Sequence, residues 1–186
     1  MTLFSETRRV NDVELTLLRP QSPEALIDEA AFEDDEFLPY WAELWPAAIA
    51  LAEALPDVAG LRVVELGCGL GVPALVAAAR GAQVTATDWS TEAIELLRRN
   101  AEQNGLRLSA EVRDWRDPWS ERFDLALAAD VLYEQRNVAP VLARLSELAP
   151  VALVGLAGRP YEAEFLRQAG NVEEVAERGV LLRRAS

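Results

Sequence analysis

Lysine and histidine are absent from this chain, and cysteine occurs only once, as Cys68. All 18 basic residues are arginine. Without histidine there is no Ser-His-Asp or Cys-His nucleophile system, and a single thiol leaves too few ligands for a zinc site. Without lysine there is neither Schiff-base chemistry nor a P-loop phosphate lysine. One cysteine forbids an internal disulfide and suits a reducing compartment. No apolar run approaches the ~20 residues of a membrane span. Met1–Val10 carries Glu6, Arg8 and Arg9 in place of the basic-then-apolar order of a secretion signal. A cytoplasmic protein without membrane attachment or bound metal is therefore expected. Its chemistry must rest on carboxylates, tyrosine, tryptophan, arginine and backbone groups.

Positive charge is scarce as well: 31 acidic residues against 18 basic give a net charge of −13. Such a surface repels phosphate backbones, which argues against a nucleic-acid partner and favours a basic protein surface. With 186 residues, 51% of them hydrophobic, the chain is long enough for one domain with a substantial core.

Alternating apolar residues over Thr7–Arg19, interrupted by Asn11-Asp12, predict an N-terminal β-hairpin. Glu24–Phe37, strongly acidic, reads as a short helix and a loop, and Trp41–Leu55 as a helix ending before Pro56. From Leu61 the pattern alternates. Strands are expected at Leu61–Leu66, Gln83–Thr87, Arg107–Arg113, Phe123–Ala129 and Val151–Leu156. Helices are expected at Val72–Arg80, Thr91–Asn104, Val138–Leu148 and Tyr161–Ala169. Ser90 is a suitable N-cap for the second helix and Gly105 its stop. Val172–Glu177 and Val180–Arg184 read as a terminal hairpin. The expected fold is α/β: a Rossmann-like, seven-stranded, mostly parallel sheet with one antiparallel strand and helices on both faces. It forms a single domain, with residues 1–56 as a hairpin and helix over the site and 61–186 as the core.

The segment Glu65-Leu66-Gly67-Cys68-Gly69-Leu70-Gly71 joins the first core strand to an Ala-rich helix. Its glycines let backbone approach a ligand with no Cβ in the way, and the helix N-terminus offers N–H groups. Asp88 closes the next strand about 20 residues on, where a carboxylate can hold a ribose hydroxyl pair. A dinucleotide site reads G-x-G-x-x-G, whereas here the spacing is Gly67-x-Gly69-x-Gly71 behind Glu65. That form resembles the first motif of S-adenosylmethionine-dependent methyltransferases.

Ligands in such sheets bind beyond the carboxyl ends of the strands, which singles out Asp88-Trp89, Asp114-Trp115 and Ala129–Tyr133. Asp114 can accept a hydrogen bond from an adenine amino group, and Trp115 and Trp89 can cover its two faces. Asp130 can orient an ammonium group, and Tyr133 can line the channel to it. The Asn-Pro-Pro-Tyr of amide and base methyltransferases does not occur. Upstream, Leu38–Pro46 holds three aromatics and two prolines, the composition of a lid or of a packed helix entry.

Pro39-Tyr40-Trp41-Ala42-x-x-Trp45-Pro46, the Glu65–Gly71 bend, Asp88, Trp115, Ala129-Asp130-x-x-Tyr133 and Gly155-x-x-Gly158-Arg159-Pro160 together resemble the seven-β-strand protein-lysine methyltransferases. The likeness is greatest to the electron transfer flavoprotein β-subunit lysine methyltransferase group. It implies S-adenosylmethionine as cofactor, S-adenosylhomocysteine as product and a lysine of a partner protein as acceptor. It further implies cofactor contacts at Trp45, Gly67, Gly69, Asp88, Trp115 and Ala129, with Asp130 and Tyr133 at the acceptor. Glu65, Cys68, Gly71, Trp89 and Asp114 complete the expected cofactor site. Leu156-Ala157 stands where relatives show Asp-Pro before Gly-Arg. A small-molecule amine as acceptor, or a cofactor-binding module without catalysis, are the alternatives.

Overall fold

The computed structural model describes residues 2–21, 39–177 and 179–183. Strands β1 (Leu3–Val10) and β2 (Val13–Pro20) pair antiparallel across Asn11-Asp12, with Asn11 at a positive φ of 53°. The expected helix and loop over Glu24–Phe37 lie outside the described residues.

The helix expected over Trp41–Leu55 begins later. Tyr40–Ala42 forms one 3-10 turn, and α1 runs only over Pro46–Glu53. Pro46 is the cause. The residue before a proline is kept out of the helical region, and Trp45 accordingly sits at ψ 135°. At the first helical position the missing N–H of Pro46 costs no hydrogen bond.

The core follows as β3 (Arg62–Leu66), α2 (Val72–Ala79), β4 (Gln83–Asp88), α3 (Thr91–Gln103), β5 (Ser109–Val112), β6 (Leu125–Ala129), α4 (Val138–Leu148), β7 (Val151–Gly155), α5 (Glu162–Ala169), β8 (Val172–Ala176) and β9 (Gly179–Arg183). Seven of these strands form one sheet in the order β5-β4-β3-β6-β7-β9-β8. β5, β4, β3, β6 and β7 are parallel, and β9 runs antiparallel to both of its neighbours.

Period-two alternation decides which helices cover which face. Val63 of β3, Ala86 of β4, Leu127 of β6 and Leu153 of β7 point into a core shared with Leu51 of α1, Leu75 of α2 and Leu97 of α3. Their neighbours Val64, Leu66, Ala128 and Val154 point the other way, against Leu145 of α4 and Phe165 of α5. Each large aliphatic side chain buried this way contributes roughly 1.5–3 kcal/mol.

The hairpin docks on α3 through two asparagines. Asn100 Oδ1 accepts the Leu18 N–H at 2.7 Å while its Nδ2 donates to the Leu18 carbonyl at 3.1 Å. Asn104 does the same to Thr16 at 2.8 Å and 2.8 Å. Four helical residues rise about 6.0 Å and two strand residues about 6.6 Å, so side chains at i and i+4 match alternate residues of a strand. The two amides thus pair the outward edge of β2 as another strand would.

Candidate functional site

Strand order switches between the parallel neighbours β3 and β6, with β4 and β5 added on one side and β7 on the other, and a cavity of about 470 Å³ opens beyond the carboxyl ends there. Trp45, Glu65, Gly67, Cys68, Gly69, Gly71, Asp88, Trp89, Asp114, Trp115, Ala129, Asp130 and Tyr133 all line it. The residues singled out from the sequence are thus brought to one place.

The bend after β3 is tight, with the Gly71 N–H donating to the Cys68 carbonyl at 2.7 Å. Gly67 and Gly69 take φ values of 63° and 50°. A Cβ on Gly67 would stand 2.9 Å from Val131 Cγ1 and 3.0 Å from Trp115, and one on Gly69 would stand 3.1 Å from the Trp41 carbonyl oxygen. Neither position has room for a side chain between its protein neighbours, and both glycines line the cavity. Asp88, buried at the end of β4, accepts the Gly69 N–H at 2.9 Å and the Ser90 N–H at 3.0 Å. Burial pushes its pKa up, against the pull of those backbone bonds. A bare glycine cradle beside a rigidly held carboxylate, with indoles at the rim, fits a nucleoside with a charged tail.

Several expected contributors serve the scaffold as well as the wall. Glu65 Oε2 accepts the Ala74 N–H at 2.8 Å and so caps the first turn of α2 from within β3. Burial, partly opposed by that bond and reinforced by the Asp88 charge, pushes its pKa up to about 8. Burial likewise raises the Cys68 thiol well above its ordinary value, leaving it inert. Asp114 is held in a fork by Arg116, at 3.0 Å and 2.8 Å. Trp115 is buried against Gly67, whereas Trp89 stays 43% exposed at the rim.

The opposite wall is acidic and aromatic. Asp130 follows β6 at a φ of 53°, a backbone region that side-chain-bearing residues rarely adopt. Its N–H donates to the Gly155 carbonyl at 3.0 Å, and its carboxylate is paired to Arg159. The Tyr133 ring lies 5.4 Å from that of Tyr40. Burial, with the Asp88 charge next, pushes the Tyr133 phenol up to about 12, so it is neutral near pH 7. Sequence reasoning assigned no role to Tyr40 or Arg159. The aromatic density around Tyr40 was a signal for the first, and the Gly155-x-x-Gly158-Arg159-Pro160 motif contained the second without indicating its partner.

Sheet order and cavity together define a Rossmann-like methyltransferase fold. A 16S rRNA methyltransferase (RsmC) of T. thermophilus, in complex with AdoMet and guanosine, superposes with a TM-score of 0.71 at 22% identity, over 98% of this chain and 51% of that one. The model of the lysine methyltransferase family matches residues 32–169, and the chain belongs to that family. It is 34% identical over 123 residues to protein N-lysine methyltransferase METTL21A of Danio rerio, covering 58% of this chain and 55% of the relative. It is 37% identical over 103 residues to the electron transfer flavoprotein beta subunit lysine methyltransferase of the same fish, covering 52% and 40%. Magnesium-protoporphyrin O-methyltransferase of Rhodobacter capsulatus is 34% identical over 111 residues, covering 58% and 49%. The chain thus spans about half the length of the curated relatives it matches. Among the described residues, no helix is long and apolar enough to cross a membrane, and no cluster of metal-ligating side chains occurs.

Proposed function

We propose that the chain transfers a methyl group from S-adenosylmethionine to a lysine side chain on a basic surface of a partner protein, in the cytoplasm. One observation carries this reading: the glycine cradle with Asp88 and the acidic, aromatic wall of Asp130, Tyr133, Tyr40 and Trp45 open into the same cavity. Family membership supports it.

Gly67, Gly69 and Asp88 would hold the nucleoside, with Trp115, Trp89, Ala129 and Trp45 around it. S-adenosylmethionine, when bound, supplies an electrophilic methyl carbon: an N–C bond forms as the S–C bond breaks, and the electron pair returns to sulfur as a neutral thioether. A lysine amine has a pKa near ~10.4 and must first lose a proton, which passes to water. Asp130 orients the cation, and the neutral Tyr133 phenol lines its path as a hydrogen-bonding group. Alignment supplies much of the rate, because the reaction is an in-line displacement.

The test uses S-adenosylmethionine carrying a labelled methyl group, an extract, wild type and Asp130→Asn. A labelled protein band is expected with wild type and is expected to disappear with the variant, while calorimetry shows S-adenosylhomocysteine bound equally by both. No labelled macromolecule under any extract condition overturns the proposal. The comparable identity to the magnesium-protoporphyrin enzyme favours a second reading, a small-molecule acceptor. Label confined to the small-molecule fraction would select it.

A further inference from the structure

Asp130 has a side chain only 2% exposed, yet both of its oxygens already hold a cation of this chain. Arg159 Nε lies 2.7 Å from Oδ1 and Nη2 lies 2.8 Å from Oδ2, a fork-to-fork pair. The same guanidinium carbon stands 5.3 Å from the centre of the Trp45 ring. Trp45 is fixed in turn, its Nε1 donating to the Tyr40 carbonyl at 2.8 Å, and the Tyr40 ring closes the space toward Tyr133. A buried carboxylate walled by aromatic faces is a seat for an organic cation.

Arg159 reaches that seat from the segment between β7 and α5, whose backbone is secured without the guanidinium. The Ala157 and Gly158 N–H groups donate to the Glu162 carboxylate at 2.7 Å and 3.0 Å, and the Glu162 N–H donates to the Arg159 carbonyl at 3.2 Å. The Arg159 side chain is 33% exposed, so it can swing outward while its loop stays folded.

We infer that Arg159 occupies the seat of the acceptor cation and acts as a tethered competitor that an incoming ammonium must displace. The inference rests on the acceptor site proposed above and adds a specificity device to it. An amine without further contacts to the protein does not dislodge the guanidinium, whereas a lysine delivered by a docked partner does. An internal competitor lowers the affinity of any outside cation by the fraction of time the seat stands open.

Two measurements test this. In the first, n-butylammonium is titrated into the chain without cofactor and followed by NMR. Arg159→Ala is expected to bind it about tenfold or more tighter than wild type, and combining the change with Asp130→Asn is expected to erase the gain. The second exploits the absence of lysine from the chain. Arg159→Lys puts a single amine on the same tether. With S-adenosylmethionine its intact mass is expected to rise in steps of one methylene, as an N–H proton goes to solvent and a methyl takes its place. The rate should be independent of protein concentration, and wild type should stay unmodified. If Arg159 merely braces Asp130, Arg159→Ala binds n-butylammonium no better than wild type, and the inference falls. It falls equally if Arg159→Lys binds S-adenosylhomocysteine but keeps its mass. If no form binds S-adenosylhomocysteine, the proposed function fails while the n-butylammonium titration still decides this point.

Discussion

Glu65 gives the chain a pH-dependent stability of unusual sign. Its side chain is sealed between β3 and the first turn of α2, with the residue 1% exposed. Burial raises its pKa from 4.5 to about 8, the Ala74 N–H bond opposing the rise and the Asp88 charge adding to it. Between those values the folded chain binds a proton that the unfolded chain has released. The contribution is therefore fully present below the unfolded value and is lost as pH climbs through the folded one, the reverse of a salt-bridged carboxylate. The slope is about 1.4 kcal/mol per pH unit, which from about pH 5 to pH 8 sums to on the order of 4 kcal/mol. Glu65→Gln keeps the shape and an oxygen for the Ala74 N–H but cannot ionise. Urea unfolding followed by circular dichroism, for both proteins from about pH 5 to pH 9, isolates this group, because charge repulsion elsewhere is common to both. Wild type is expected to lose stability relative to the variant by that amount as pH rises. Parallel curves across the range would refute the reasoning, since they would mean that the carboxyl ionises as easily inside the fold as outside it.

The remaining predictions concern the docking of the hairpin and the glycine cradle. Asn100→Ala strips the Leu18 N–H and carbonyl of their partners and should cost about 2 kcal/mol in urea unfolding, with Asn104→Ala costing a similar amount. Gly69→Ala forces a side chain into a left-handed backbone position, 3.1 Å from the Trp41 carbonyl oxygen. Calorimetry should show S-adenosylhomocysteine affinity reduced about tenfold or more, with far-UV circular dichroism unchanged.

Much of the fold was legible because its signals are local. Strands buried on both faces, such as Leu125–Ala129, read as apolar runs, and α4 has the expected bounds Val138–Leu148 because its apolar stripe recurs at Val141, Leu145 and Leu148. β5 came out shorter than the expected Arg107–Arg113. Its ladder begins only where Ser109 meets Thr85, and pairing, not propensity, sets where a strand starts. The helix expected from Trp41 failed on Pro46, whose effect on the preceding residue outweighed the helical composition around it.

The two halves of the site differ in the same way. Gly69 and Asp88 lie 19 positions apart, joined through the adjacent parallel strands β3 and β4 that one helix connects, so spacing alone brings them together. Asp130 and Arg159 are 29 positions apart, and their meeting depends on β6 and β7 ending in register, with Ala129 opposite Gly155. From that register the two chains leave the sheet side by side, the Asp130 N–H tied to the Gly155 carbonyl, and a left-handed turn at Asp130 aims its carboxylate at Arg159. The aromatic wall arrives separately, from the turn ahead of α1. Three segments without a shared spacing therefore build the cation seat. Substitutions that shift the register of β7 should then separate Asp130 from Arg159 while leaving the glycine cradle intact, so that cofactor binding and acceptor selection can change independently.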